Sequence, residues 1–550
     1  MSRRRHQHPQ GTGSTFAYDY LVVGAGSAGS VLAARLSQDP TVRVALIESG
    51  GPDRRSKPEI RIPAAFPKLF RTAYDWDFAT TKQEALDGRE LYWPRGHLLG
   101  GSSSMNAMMW VRGHRADYDA WGEVAGHEWS YDEFVRYFRR AERWTGHTPA
   151  HTVYGTEGPL FISPPRDPSP LTFAFMDACR EAGIDELPEL NGPDHSGCAI
   201  TPLNQRRGSR WSAADGYLRP ARTRPNLDVL TGARVRRLRF DGDSSRVVGV
   251  EADGVPGMLT ARREVILCAG AVGSPYLLLH SGIGDPDELR AAGITPRVAS
   301  PEVGRHLQDH LSTAVTLCCP DPITLTGADT PANLARYLVA GRGPLTSNVA
   351  EAVAFIRSTP QLAAPDLELI FAPVPFIEHG LTPPAEHGLT IGVVLLQPGS
   401  HGRITLTGPD TGAGPRIDPG YLTDESDLRR IVAGVRRAEE LFAGRALAPY
   451  TGGPMGHYPG VVGDEELHRA LRGSLETLYH PTGTCRMGRD AGSVTDPRLR
   501  VRGVEGLRVV DASVMPQITR GHTHAPTVAL AEKAAELVRE DARQAPGAPG

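Results

Sequence analysis

Tyr18-Asp-Tyr-Leu-Val-Val-Gly-Ala-Gly-Ser-Ala-Gly29 decides how the rest of the chain is read. Tyr18 to Val23 turns nearly continuously apolar toward its end, the pattern of a buried parallel strand. It runs straight into Gly24-Ala25-Gly26-Ser27-Ala28-Gly29. The small residues Ser30 to Ser37 then predict a helix stopped at Asp39-Pro40, and Val42 to Ile47 predict a second strand ending at Glu48. Gly24 permits a tight turn, Gly26 lets backbone approach a pyrophosphate, and Gly29 allows helix and strand to pack closely. The helix start offers free N–H groups to phosphates. Glu48, about 20 residues past the glycines, is placed to accept ribose hydroxyls. A glycine triplet alone is common, but strand, glycines, helix, strand and acid in this order predict a dinucleotide site. The motif does not separate NAD from FAD. The acid argues against a ribose 2′-phosphate, and so against NADP.

Further along, Trp93-Pro-Arg-Gly-His-Leu-Leu-Gly-Gly-Ser-Ser-Ser-Met-Asn-Ala-Met-Met-Trp-Val-Arg-Gly113 carries Gly96, Gly100 and Gly101, which bracket a loop where backbone can approach a flat ligand. Ser102 to Ser104 are expected to cap an apolar helical segment after them. Asp228 to Leu230, Ala233 to Phe240 and Val247 to Ala252 read as strands. Glu264 to Cys268 is another, leading into Ala269-Gly270-Ala-Val-Gly273 with Ser274 as N-cap and Pro275 at the first helical position. This second strand–glycine–helix unit places the return of the nucleotide domain after an insertion. Leu311 to Leu478 changes character: short strands such as Leu367 to Phe371, Thr390 to Leu396 and Arg403 to Leu406 alternate with Pro/Gly turns, and Glu425 to Phe442 reads as a helix. Gly506 to Val510 is a late strand, and Thr527 to Arg539 a helix. The expected fold class is α/β (α+β overall): a Rossmann-like nucleotide domain on a parallel sheet (16–153, 211–310 and 479–540) and a substrate domain on an antiparallel sheet covered by helices (154–210 and 311–478).

The 550 residues suffice for two such domains. A formal net charge of −3 gives no bulk electrostatic case for nucleic acid or an anionic membrane. Six cysteines without CxxC or metal-ligand spacing favour reduced thiols and a cytoplasmic protein, with no metal. Met1 to Gly13 is basic without a following apolar stretch, so residues 1–15 read as a disordered arm and 541–550 as a flexible tail. No uncharged run is long enough to span a bilayer.

Two histidine loops stand out: Tyr479-His480-Pro-Thr-Gly-Thr-Cys485 and Gly521-His522-Thr-His524-Ala-Pro-Thr527. Imidazole exchanges protons near neutral pH, and paired histidines in small-residue loops point to acid–base chemistry once something holds them at one reacting atom. Glu351 is a single carboxylate in an apolar run. It reads equally as a substrate contact, with Phe355 or Phe371 supplying aromatic faces for a quaternary ammonium, and as a locally paired buried acid.

Taken together, these blocks resemble the glucose–methanol–choline (GMC) family of FAD-dependent oxidoreductases, from Tyr18 to about Val538. Val509-Val-Asp-Ala-Ser-Val-Met-Pro516 and Val111-Arg-Gly-His-Arg-Ala-Asp-Tyr118 are most similar to the choline-dehydrogenase branch. The resemblance implies FAD. Its pyrophosphate would lie on Gly24 to Gly29, including Ser27 and Ala28, with Glu48 on a ribose. Its ring would lie over Gly96 and Gly100 to Met109, with Ser102, Asn106, Ala107 and Met108 in contact. Val235, Ala269, Gly270, Ser274, Asp511 and Ala512 are further contacts, as are Ala525, Pro526 and Thr527 at a helix start. The family's base position falls on His480 and its partner position on His522. His524 occupies a place where near relatives carry Asn. Met105 stands where one oxidase branch has a flavin-linked histidine, so the FAD is expected to be non-covalent.

The chemistry implied is oxidation of an alcohol, choline-like or other, to an aldehyde or ketone. Neutral His480 takes the O–H proton while hydride moves to flavin N5, and His522 holds the same oxygen. The electron acceptor is O2, a quinone or an electron-transfer protein, with the branch resemblance favouring a dehydrogenase over an O2-using oxidase. A hydroxynitrile-lyase-like enzyme on the same fold, a nicotinamide-dependent dehydrogenase and a non-catalytic FAD-holding protein are the competing classes.

Overall fold

The computed structural model describes residues 16–52, 57–147, 153–255 and 257–544, so the N-terminal arm lies outside the described residues. Two sheets organise the chain. In the first, Leu227–Thr231, Val44–Glu48, Phe16–Val23 and Leu259–Leu267 lie side by side and parallel, and Leu507–Val509 adds in parallel beside the end of Leu259–Leu267. Val247–Ala252 and Val235–Phe240 extend the sheet antiparallel past the start of Leu259–Leu267. Val44–Glu48 is buried at every position, which is why it reads as an unbroken apolar run rather than an alternating one.

The second sheet is wholly antiparallel: Glu476–Thr477, Leu311–Cys318, Gly388–Leu395, Leu367–Ala372, Ala352–Ile356 and Gly197–Ile200. Alternation gives it two different faces. Leu311, Val315, Leu367, Leu369, Phe371, Ile391 and Val393 pack with Leu428, Ile431, Val435 and Leu441 of the helix Glu425–Ala443 and with Phe175 of the helix Pro170–Glu181. The opposite face presents Ser312, Ala314, Thr316, Ile370, Ala372, Thr390 and Gly392 to a cavity between the sheets. These side chains are mostly small, and that leaves room.

Four local expectations need correction. No helix follows Ser102–Ser104. Gly101–Ser104 is a single 3-10 turn, and the chain from Ala107 to His114 is free of helix until Arg115–Ala125 begins. The serines fold back instead of capping: Ser103 and Ser104 donate to the Gly100 and Leu99 carbonyls, and Ser102 accepts from the Gly96 N–H. The helix expected at Pro275 starts earlier and spans Gly270–His280, because the N–H groups of Ala269 and Gly270 are met by Ser274 Oγ and Asp511. The helix expected from Thr527 spans His524–Gln544, with Ala525, Pro526 and Thr527 inside its first turn, where a proline lacks no needed N–H. It also runs past 541, where Asp541 pairs with Arg498 and Arg508; residues 545–550 of the expected tail lie outside the described residues. Among the described residues no helix is long and apolar enough to cross a membrane.

Candidate active site

His480 lies three residues past the edge strand Glu476–Thr477. Its neighbour Tyr479 adopts a left-handed φ of 67°, unusual for a non-glycine residue, which turns the next side chain toward the cavity. Asp309 holds the turn from below. Its carboxylate accepts the His480 N–H at 2.7 Å, the Thr477 hydroxyl at 2.6 Å and the Tyr421 hydroxyl.

The side chain is fixed by a chain of imidazoles. His310 Nε2 lies 3.1 Å from the Leu396 carbonyl, an acceptor, so that nitrogen carries the hydrogen. Burial lowers the His310 pKa to about 3, with His522 adding to the effect, so His310 is neutral and its Nδ1 is a lone pair. His480 Nδ1 lies 3.0 Å from that lone pair and must donate to it. In a neutral imidazole the remaining nitrogen, His480 Nε2, is then a base. Burial, together with His522, His310 and Arg95, pushes the His480 pKa well below its ordinary 6.5, which keeps the ring neutral.

His522 packs edge-on to His480 with ring centroids 4.8 Å apart. Its Nε2 lies 3.0 Å from an oxygen of Glu368, which is fully buried in the strand Leu367–Ala372.

A second set of residues forms the other end of the same cavity. Gly24, Gly26, Ser27, Ala28, Glu48, Gly96, Gly101, Ser102, Asn106, Ala107, Met108, Met109, Val235, Ala269, Gly270, Asp511, Ala512, His524 and Thr527 all line it, together with His480 and His522. Gly29, Gly100, Ser274, Ala525 and Pro526 do not. Gly29 is pressed against the Gly24 carbonyl, where a Cβ would come within 1.9 Å. Gly100 donates to the Ala25 carbonyl and so braces the glycine turn. Ser274 acts on Asp511, which in turn accepts the Gly270 N–H at 2.8 Å. Ala525 and Pro526 are buried beneath the turn that carries His524.

The cavity end at Gly26 suits a long, flat, phosphate-bearing group. A Cβ on Gly26 would meet nothing within 4 Å, whereas one on Gly101 would strike Gly26 Cα at 2.8 Å. Two helix N-termini, at Ser27 and at His524, open on this space, and their free N–H groups suit anionic oxygens. Glu48 is buried and its pKa is raised by that burial, while the Ala25 and Gly50 N–H groups hold its carboxylate in place. Among the described residues no group of His, Cys, Asp or Glu is disposed to hold a metal.

Comparison with known proteins settles the family. GMC oxidoreductase models match residues 18–312 and 398–531. The chain belongs to the GMC oxidoreductase family. A GMC-type oxidoreductase of Mycobacterium tuberculosis, itself uncharacterized, is 51% identical over 528 residues, covering 95% of this chain and 99% of that one. The mitochondrial choline dehydrogenase of Homo sapiens is 39% identical, covering 96% and 91%. The crystal structure of a pyridoxine 4-oxidase from Mesorbium loti superposes with a TM-score of 0.86 at 35% identity, covering 95% and 99%. The protein is thus an FAD-dependent oxidoreductase, and the cradle at Gly26 has the shape and donors that FAD requires.

Within this family frame, Glu351 takes the second of its two readings, the locally paired buried acid. Glu351 does not line the cavity. It accepts from the Ser169 N–H at 2.7 Å and from the hydroxyls of Thr172 and Ser347, tying a helix start to a strand. Phe371 stacks on Phe175 in the covered face of the sheet, and Phe355 lies against His195, so no ammonium cage forms around Glu351. Away from Glu48 and Asp511 at the cradle end, the cavity is lined by Glu476 and Glu378, beside Phe66, Phe70, Phe376 and Tyr479. His524 is explained by position: its Nδ1 lies 3.0 Å from Ser27 Oγ, joining the two helix starts, and burial lowers its pKa to about 4.

The sequence reading missed His310 and Glu368. Glu368 shows one weak signal, a polar side chain interrupting an apolar strand in Leu367-Glu-Leu-Ile-Phe371, while His310 sits among the polar residues just before the strand Leu311–Cys318 and shows none.

Proposed function

We propose that the protein oxidises an alcohol to the aldehyde or ketone with His480 as the base. The carrying observation is the hydrogen-bond chain from the Leu396 carbonyl through His310 to His480, which leaves the His480 Nε2 lone pair for the substrate O–H. FAD bound in the cradle supplies the two-electron acceptor. His480 accepts the hydroxyl proton. His522, its Nε2 committed to Glu368, packs its ring against His480 and so borders the space for the same oxygen. Asp309 and Arg95 keep the His480 backbone in register, Arg95 by donating to the Tyr479 carbonyl.

Residues 16–153, 211–310 and 479–540 serve the cofactor in this reading, and 154–210 and 311–478 shape the substrate end. Small side chains on the sheet floor and the Phe66–Phe376 wall favour an alcohol with an apolar body. Glu476, its pKa raised to about 7 chiefly by burial, gives a cationic amino alcohol a partner. The dehydrogenase reading of the acceptor is supported by the kinship with choline dehydrogenase, and a cytoplasmic location by six free cysteines.

The test is anaerobic mixing of the purified yellow protein with a panel of alcohols while flavin absorbance is followed. Wild-type bleaching by an alcohol, lost in His480→Ala, is the expected result. Bleaching of His480→Ala at the wild-type rate sinks the base assignment. A flavin that no alcohol bleaches sinks the alcohol reading. Oxygen uptake measured against dye reduction then separates oxidase from dehydrogenase.

A further inference from the structure

The helix Pro331–Ala340 stands on the surface with one buried residue, Tyr337. Tyr337 anchors it: its hydroxyl meets Ser209 Oγ at 2.7 Å and the Arg61 carbonyl at 3.3 Å, and its ring packs with Ile62 and Leu345. Beside and beyond this anchor the helix carries Leu334, Ala335, Leu338 and Val339, an apolar stripe that widens away from Tyr337. It faces solvent. Leu334 is 39% exposed, Leu338 68% and Val339 89%. Apolar residues scattered singly over a surface are ordinary, but a contiguous stripe marks a contact.

The charge around the stripe is one-sided. Arg336 and Arg342 flank it, both paired with Asp167, Lys68 pairs with Asp329, and Arg61, Arg206 and Arg207 lie on the segments that touch the helix or its end. These six cations face three carboxylates, Glu59, Asp167 and Asp329, in a chain whose formal net charge is −3. A basic rim around an apolar stripe is complementary to an anionic lipid surface. A second copy of the chain is a poorer occupant. A ten-residue helix is about 15 Å long, too short to supply the roughly 800 Å² per partner of a stable interface, and a symmetric pairing would set the six cations against their equivalents. The stripe also has a bearing on the active site. Tyr337 and Leu345 pack on Ala64 and Ala65 of the 3-10 segment Pro63–Leu69, and that segment's Phe66 lines the cavity.

We propose that the helix Pro331–Ala340 docks the protein on an anionic bilayer, with Leu334, Leu338 and Val339 entering the acyl boundary and Arg336 and Arg342 facing the headgroups. The docked face packs, through Tyr337 and Leu345, on Ala64 and Ala65, next to Phe66 of the cavity wall.

The test is flotation of the full-length holoenzyme with vesicles of phosphatidylcholine alone and of phosphatidylcholine mixed with phosphatidylglycerol. The wild type is expected to float with the mixed vesicles and to be released by salt. Leu338→Asp/Val339→Asp is expected to stay in solution with its flavin content and its turnover of a water-soluble alcohol intact. Arg336→Gln/Arg342→Gln is expected to lose about 25-fold in partitioning, at roughly five-fold per cation. Flotation of the aspartate double variant equal to the wild type overturns the proposal, as does failure of the wild type to float with anionic vesicles at low salt. A solution dimer that the aspartate variant dissociates, without any vesicle binding, assigns the stripe to a second copy and overturns it equally.

Discussion

Replacing His310 by phenylalanine tests the tautomer argument directly. The ring fills the same buried space, but the acceptor 3.0 Å from His480 Nδ1 is gone. In the tautomer that catalysis needs, His480 then carries a buried N–H without a partner, at a cost of about 1–3 kcal/mol. That cost shifts the ring toward the tautomer with hydrogen on Nε2, which cannot accept a proton from substrate. The base-competent fraction falls by about 5- to 150-fold, since each 1.4 kcal/mol is a factor of ten. Flavin reduction is expected to slow by a similar factor in anaerobic stopped-flow mixing at saturating alcohol, with little change in substrate affinity. His310→Asn, whose amide oxygen again offers an acceptor, is expected to recover part of the loss. Nitrogen-15 shifts of the His480 ring report the tautomer without reference to rate. A His310→Phe enzyme that reduces its flavin at the wild-type rate, with His480 hydrogen still on Nδ1, refutes the reasoning.

Other outcomes follow from the same geometry. The His480 pKa is lowered, so the base is unprotonated through the neutral range, and kcat/KM is expected to fall only as pH drops through that depressed value; His522→Asn removes one of the lowering neighbours and should move the acid limb upward in a pH–rate profile. His480→Ala is expected to slow flavin reduction by about 10²- to 10⁴-fold while the protein stays yellow. Gly26→Ala meets open space and an ordinary backbone conformation, so the apoprotein's melting temperature should hold while FAD is lost on gel filtration; full retention of flavin would remove Gly26 from the cradle. Glu351→Ala is expected to cost about 1–3 kcal/mol through the stranded Ser169 N–H, read as a lower denaturation midpoint, with KM unchanged. A raised KM at unchanged stability would return Glu351 to the substrate.

The nucleotide end of the molecule was legible because its requirements are local. A tight turn, a close approach and a helix start all fall within Gly24 to Gly29, and the strands beside them are buried on both faces and spell themselves as apolar runs. The histidine loops were legible for a related reason, since both sit in short small-residue turns. The residues that make those histidines a base were not. His310 comes from the residue just before the strand Leu311–Cys318 and Glu368 from the strand Leu367–Ala372 of the other sheet, and their meeting with His480 and His522 depends on how those strands are set. Glu351 and Glu368 look alike in the sequence, each a lone acid among apolar residues. Alternation separates them: Glu368 shares a face with Ile370 and Ala372, toward the cavity, while Glu351 precedes its strand and is taken up by the start of the helix Pro170–Glu181. The serines at 102–104 misled for the opposite reason. A local signal for capping was outweighed by contacts with the backbone just before them.

The way the cradle is closed also bears on how the protein is made. Leu507–Val509 completes the parallel sheet, Asp511 fastens Gly270, and His524 bonds Ser27 while Glu532 of the same helix pairs with Arg35. A ribosome therefore synthesises the glycine turn first and its fastenings about five hundred residues later. Until the segment 507–544 emerges, Ser27 lacks His524 and Gly270 lacks Asp511, so the cradle is open on one side. Cofactor loading is in this sense a post-translational event. Chains truncated before Leu507 should emerge colourless however well their first sheet is formed.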